Sequence, residues 1–259
     1  MSDTFLFSYH VFGPVKSRRL GNSLGINLLP KEAKFCNFDC IYCECGFSQK
    51  IKGKVLKWID ASDLVNELIN KIEEVKFQGH KIDSITFAGN GEPTLHPEFL
   101  KIMTDVVLTR NLMLPDAKIS VLTNASTAHK PDIKQALLMA DNSIFKLDAA
   151  DEDNFKIINQ NGSKEGLSKI LQNIKNFPGK IIIQSLFVKG MHEGKKFDNS
   201  SDEAIQKWVN IINDLKPKQV MLYSLDRSTP VKNLEEIDQN RLQKIAEILN
   251  QQNINTLVA

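Results

Sequence analysis

Apolar residues recur along this chain with two alternating periods. Short β-branched runs of strand length stand at GINLLP (25–30), DSITFAG (83–89), KISVLTN (118–124), SIFKLD (143–148), KIIIQSLFV (180–188) and QVMLYSL (219–225). Stretches with helical spacing lie between them. Leu64, Leu68, Ile69, Ile72 and Val75 predict one amphipathic helix, with Ser62 as its N-cap and Gly79 as its stop. Phe99, Ile102, Met103, Val106 and Val107 predict the next, and Ile133, Leu137 and Leu138 a short third. Residues 155–176 hold helical stretches broken near Gly162. Ser200 and Glu203 read as a capping box for a helix running through Leu215. Leu242, Ile245, Ile248 and Leu249 predict a last helix, and INTLVA after it has the pattern of a seventh strand.

Strands alternating with helices predict an α/β fold with a parallel sheet. The pattern fits an open doubly wound sheet or a full or partial barrel. No Gly-rich dinucleotide fingerprint follows any strand, which weighs against the first. In either architecture the chemistry gathers at the C-terminal ends of the strands.

Composition adds bounds. Of 259 residues, 42% are hydrophobic, enough for a sizeable core in one large domain or two small ones. Lys plus Arg exceed Asp plus Glu by 33 − 31 = 2, so net charge argues for neither nucleic acid nor an anionic membrane. The first residues lack a signal-peptide pattern, and no run reaches the roughly 18 apolar residues of a membrane span. The expectation is a soluble cytoplasmic protein with no membrane partner, whose thiols stay reduced.

All four cysteines, Cys36, Cys40, Cys43 and Cys45, lie in FCNFDCIYCECG, on a loop just past the first predicted strand. Compartment and crowding argue against disulfides. Structural zinc prefers two separated pairs of ligands, whereas an iron–sulfur cluster tolerates thiolates from one compact loop. A non-catalytic zinc or iron–sulfur protein using all four thiols is the competing reading.

Cys36, Cys40 and Cys43, with Tyr42 before the last, form a CxxxCx(aromatic)C loop that resembles the motif of the radical S-adenosylmethionine (radical SAM) superfamily. The resemblance implies a partial (β/α)6 barrel in which three thiolates hold a [4Fe–4S] cluster. The fourth iron is then open to S-adenosylmethionine, whose reductive cleavage gives a 5′-deoxyadenosyl radical that abstracts a substrate hydrogen. It also implies an electron donor such as flavodoxin or ferredoxin. Cys45 is expected to be a neighbour rather than a ligand.

Further motifs resemble the family at later strand ends. GNGEP (Gly89, Asn90, Gly91, Glu92, Pro93) resembles its GGEP motif, which receives the methionyl ammonium, with Glu92 holding the loop or the ammonium. Thr123 in LTNAS, and Lys146 and Asp148 in FKLDAAD, are expected near the methionyl carboxylate and ribose. Lys146 and Asp148 alternate with apolar neighbours and so share a face, where they serve a ligand or pair with each other. Gln184 is expected to touch the cofactor or to be a satisfied core amide, and Tyr223 to pack near the adenine or to be a core aromatic.

GPVKSRRLGNSLGINLLP (13–30) narrows the resemblance to a mostly uncharacterised subgroup related to tRNA wyosine synthases, over roughly residues 9–235. Arg18 and Arg19 are expected to pair with the cofactor assembly or with an anionic substrate, or else to be a surface pair. Only Cys45 is left over, too few for the auxiliary cluster of archaeal-type wyosine synthases. A tRNA base is the leading substrate expectation, with a peptide, a protein or a small metabolite as the alternative. His96, His129 and His192 have acid–base potential, and residues 189–198 read as a polar loop over the barrel mouth. The expected organisation is a lead-in (1–24), a core (25–235) and a C-terminal helix and strand (236–259).

Overall fold

The structure, a computed structural model, describes residues 4–48, 56–161, 166–227 and 229–259. Its frame is an eight-stranded sheet curled into an open half-barrel, a partial TIM-like barrel. Strand β1 (Val11–Ser17) forms an antiparallel hairpin with β2 (Gly21–Ile26). From β2 onward the neighbours are parallel: β3 (Ser84–Phe87), β4 (Lys118–Thr123), β5 (Asn142–Lys146) and β6 (Ile181–Leu186) follow in order. β7 (Val188–His192) and β8 (Lys195–Asp198) form a hairpin off the sheet, and β9 (Gln219–Tyr223) returns beside β6. β10 (Leu234–Glu236) pairs with β7, and β11 (Thr256–Val258) lies parallel to β9.

Helices α1 (Ala61–Phe77), α2 (Phe99–Met113), α3 (Pro131–Met139), α4 (Glu152–Asn159), α5 (Gly166–Lys175), α6 (Asp202–Leu215) and α7 (Gln239–Asn250) complete the alternation. Their apolar stripes form one large core with strand residues such as Val121, Phe145, Ile183 and Leu222. A separate small cluster joins Ile144, Ile182 and Met221 with Leu20 and Leu122. Side chains alternate across a strand, so this cluster is the inner face and the larger core the outer one. Leu20, from the β1–β2 turn, fills the inner face against the neighbouring strands.

Several sequence expectations need correction. The lead-in is sheet: β1 and most of β2 lie in it, and the expected boundary at residue 24 falls inside β2. Gly13 and Pro14 interrupt the apolar pattern of β1, where the pairing register also shifts. Residues 189–198 are the β7–β8 hairpin rather than a plain loop, turning at Glu193 and Gly194 with φ of 49° and 76°. Two positive φ values are what a tight hairpin turn requires. The N-cap of α1 is Asp60 rather than Ser62, and that of α6 is Ser201 rather than Ser200. Ser201 accepts from the Ala204 backbone N–H, whereas the Ser200 carbonyl accepts from Arg241. α4 and α5 flank Gly162, which lies outside the described residues. Among the described residues, no helix is long and apolar enough to cross a membrane.

Candidate functional site

The inner face changes character two residues up each strand. Ile144 is followed by Lys146, Ile182 by Gln184, and Met221 by Tyr223. The two-residue strand period therefore sets an apolar floor beneath a polar rim. Above that floor lies a cavity of about 490 Å³. Gly89, Gln184 and Tyr223 line it together with Tyr42, Cys43 and Cys45 of the cysteine loop.

The cysteine loop is fastened to the GNGEP stretch by backbone hydrogen bonds. Phe35 N donates to Asn90 O (2.8 Å) and Glu92 N donates to Phe35 O (3.2 Å). This pairing requires glycine at 91, where φ is +141° and a Cβ would stand 2.0 Å from the Phe35 carbonyl oxygen. Gly89 is equally confined, because a Cβ there would meet the Asn27 side chain at 2.4 Å.

Glu92 is buried behind the loop, with both carboxylate oxygens occupied. Oε1 accepts from Thr94 N (3.2 Å), from the Thr94 hydroxyl and from Thr123 Oγ1 (2.8 Å). Oε2 accepts from Asn124 N (2.7 Å). Burial raises its pKa although these bonds oppose it. Asn90 turns away as well: Oδ1 accepts from Phe7 N (2.8 Å), and Nδ2 donates to Phe7 O and Pro30 O (both 3.0 Å). Glu92, Thr123 and Asn90 therefore hold the loops, while Gly89 faces the cavity. Pro93 is buried at the start of a 3-10 turn, Pro93–Leu95.

Asp148 organises the opposite wall. Oδ1 accepts from Leu186 N (2.8 Å) and pairs with Lys146 Nζ (2.9 Å). Oδ2 accepts from the Tyr42 hydroxyl and from Asn159 Nδ2 (3.0 Å). Lys146 also donates to Tyr223 Oη (2.6 Å). Burial works against the Lys146 charge, but Asp148 and Tyr223 outweigh it and raise its pKa. Arg19 stacks on the other partner of this lysine, 4.4 Å from the Tyr223 ring centroid, and Arg18 pairs with Asp226 (3.1 Å).

The cysteines differ in environment. Cys36 Sγ accepts from Phe38 N (3.4 Å), with Asn124 Nδ2 at 3.8 Å, and Cys40 Sγ accepts from Asn159 Nδ2 (3.5 Å). Without metal, burial pushes both thiols up, Cys40 to about 11. Cys43 is instead held down at about 6, first by a hydrogen bond from Cys45 and then, against burial, by Lys34. Cys45 is the protonated partner of that pair, its thiol raised by Cys43, and its Sγ lies 3.4 Å from Gly89 O. Among the described residues, no group of three or more His, Cys, Asp or Glu side chains is arranged to hold a single metal ion. An iron–sulfur cluster distributes its irons among separated sulfurs of one compact loop. Free thiols on one loop, two of them accepting amide hydrogen bonds, fit that group.

The histidines lie elsewhere. His96 is buried, with ring contacts to Ile59 O (3.1 Å) and Glu98 N (3.1 Å), and burial lowers its pKa. His192 contacts Gln160, and His129 lines a smaller cavity of about 220 Å³ with Asn173 and Lys169. Sequence reasoning passed over Lys34, Asn124 and Asn159. Asn124 stood inside a quoted motif, but nothing in the pattern near Asn159 marks it as a partner of residues 40 and 148.

A family model, the radical SAM superfamily, matches residues 33–195, more than half of the chain. A UPF0026 protein of Helicobacter pylori is 32% identical over 226 residues, covering 86% of this chain and 68% of the relative. A protein of Brachyspira hyodysenteriae named GTPase Obg is 31% identical over 238 residues, and this chain spans about a third of its length (32%). Among solved structures, a radical SAM methyltransferase from Sphaerobacter thermophilus superposes with TM-score 0.65 at 14% identity, over 92% of this chain and 66% of that one. Archaeal TYW1 superposes with TM-score 0.56 at 15% identity, over 93% and 74%. At these identities the structural likeness shows the fold alone, whereas the family match and the Helicobacter relative carry the assignment. The chain belongs to the radical SAM superfamily, and its curated relatives place it with the UPF0026 proteins.

Proposed function

We propose that Cys36, Cys40 and Cys43 hold a [4Fe–4S] cluster, and that the cavity above the inner face receives S-adenosylmethionine. The observation that carries this reading is the backbone pairing of Phe35 with the GNGEP stretch, which sets the cysteine loop beside Gly89 at one cavity wall. When bound, the cluster and S-adenosylmethionine supply one-electron cleavage of the sulfonium–carbon bond and a deoxyadenosyl radical for hydrogen abstraction. The chain's own residues bind and orient. Gly89 leaves backbone room for the methionyl group, and Gln184 offers an amide from the inner face. Asp148 fixes Tyr42 and Lys146 at the wall. Glu92 locks the loops from behind. Cys45 keeps its proton and stays outside the ligand set.

The substrate reading is a tRNA base, in a wyosine-related modification. Support comes from the cavity rim, where Lys16, Arg18, Arg19 and Arg227 line the space against Glu44 and Asp226. Both carboxylates are already paired, Glu44 with Arg227 and Asp226 with Arg18. Among the described residues, Arg19 Nη1 is buried with no hydrogen-bond partner, and an unsatisfied buried donor calls for an acceptor. Such a rim favours an anionic substrate over a neutral metabolite.

Anaerobic reconstitution tests the chemistry: a reducible iron–sulfur protein should form 5′-deoxyadenosine from S-adenosylmethionine under dithionite. One zinc per chain and no deoxyadenosine would refute it. Nucleoside analysis of tRNA from a deletion strain tests the substrate. An unchanged profile would remove the tRNA reading and leave a peptide, a protein or a metabolite.

A further inference from the structure

Lys34 stands two residues before the first cysteine, and its side chain is only 2% exposed. It does not line the cavity. Its Nζ donates to Gly46 O (2.9 Å) and to Asp39 Oδ1 (3.1 Å). Gly46 directly follows the last cysteine, so one ammonium bridges the two ends of the cysteine loop and its middle.

A buried ammonium is costly unless it is paired. Its carboxylate partner among the described residues, Asp39, is itself a third exposed (33%) and also accepts from Ser48 N (2.6 Å). The loop that carries Cys36, Cys40 and Cys43 runs around this ammonium and closes on it through Asp39 and Gly46. The three proposed ligands therefore lie on the segment between residues 34 and 46 that the ammonium ties together.

We propose that Lys34 is a positioning residue whose fixed positive charge, enclosed by the cysteine loop, sets the reduction potential of the cluster held there. This inference rests on the cluster reading above. The event concerned is the entry of one electron from an external one-electron donor. No bond forms or breaks, and no proton moves. An added electron is stabilised by a nearby cation and destabilised by a nearby anion. Lys34 should therefore favour the reduced form, with Asp39 partly offsetting it. Burial limits screening of the lysine, while water screens the more exposed aspartate.

The test is a potentiometric titration followed by electron paramagnetic resonance. It uses the reconstituted full chain without S-adenosylmethionine, with dithionite and redox mediators. At the wild-type midpoint, Lys34→Met should lower the ratio of reduced to oxidised protein about tenfold or more, equivalent to about 59 mV for a one-electron couple. Lys34→Arg should recover most of that loss. Asp39→Asn, which keeps an acceptor oxygen for Ser48, should raise the ratio by a smaller factor of about three.

Opposite signs from the two charge changes separate an electrostatic role from a structural one. If Lys34→Met fails to take up iron, Asp39→Asn decides the matter. Unmoved midpoints, shifts in the same direction, or iron loss in both variants would overturn the inference. A wild type with no reducible iron–sulfur cluster would sink the functional reading itself. A loaded wild type with unmoved variants would sink only the role of Lys34.

Discussion

Asp148, just past the end of β5, accepts the hydroxyl of Tyr42, which lies between the second and third cysteines. The bond joins residues 106 positions apart and fixes the cysteine loop to the barrel wall. Tyr42→Phe removes the donor but leaves Asp148 Oδ2 its bond from Asn159. It should cost about 1–2 kcal/mol in urea unfolding. Asp148→Ala leaves Lys146 buried without its carboxylate and should cost more, about 3–5 kcal/mol. Equal losses in the two variants would contradict this division of roles.

Gly91 offers a sharper geometric test. Gly91→Ala drives a Cβ into the Phe35 carbonyl at a φ of +141°. The substitution should destabilise by more than about 1 kcal/mol and reduce iron uptake on reconstitution. Gly79→Ala is the control. Its φ is +74°, but nothing lies within 4 Å of the added Cβ. It should bear backbone strain of about 1 kcal/mol alone and take up iron normally. Circular dichroism would separate loop failure from global unfolding.

Glu92 supplies oxygens to four donors and faces no solvent. Glu92→Gln replaces one acceptor oxygen with an NH2 group, which must then meet a donor. A loss of about 1–3 kcal/mol in chemical denaturation is expected. Because burial raises the Glu92 pKa, ionising this group costs stability as pH rises from the ordinary glutamate value through the folded one. Wild-type stability should therefore decline across that window relative to Glu92→Gln. Parallel pH profiles for the two proteins would exclude the effect.

These sites were unequally legible in the sequence. The alternating periods predicted a parallel α/β sheet and the family resemblance its partial-barrel form, whereas the rim of Lys146, Gln184 and Tyr223 above Ile144, Ile182 and Met221 emerged only once the strands were in register. The cysteine loop and GNGEP were visible as motifs. Their mutual fastening was not, because Phe35 and Gly91 meet through backbone groups that carry no side-chain signature. Asn159 escaped because its partners lie 119 and 11 positions away, at Cys40 and Asp148. Lys34 reads as an ordinary surface lysine until the loop folds over it. The β1–β2 hairpin was hidden by Gly13 and Pro14, and β7–β8 by charges that stay exposed while only Val188 and Phe197 are buried.

In iron-free protein, the Cys45 thiol hydrogen-bonds to Cys43 and holds it at about 6, with Lys34 assisting against burial. A depressed thiol is a thiolate above its pKa. Alkylation of Cys43 by iodoacetamide should therefore climb through about pH 6 and then level off, while Cys40 should respond only near 11. In Cys45→Ala the Cys43 transition should move upward. Mass-spectrometric mapping of the labelled cysteines would check both, and an unmoved Cys43 profile would break the assigned pairing.

The central claim is that three thiolates hold the cluster and the fourth stands aside. The most direct measurement is iron content with the electron paramagnetic resonance spectrum of four single Cys→Ala variants, reconstituted in parallel under anaerobic conditions. The account predicts about four irons per chain and a reducible cluster in Cys45→Ala, with loss of that cluster in Cys36→Ala, Cys40→Ala and Cys43→Ala. A Cys45→Ala protein that cannot retain its cluster, beside one of the other three that can, would contradict it.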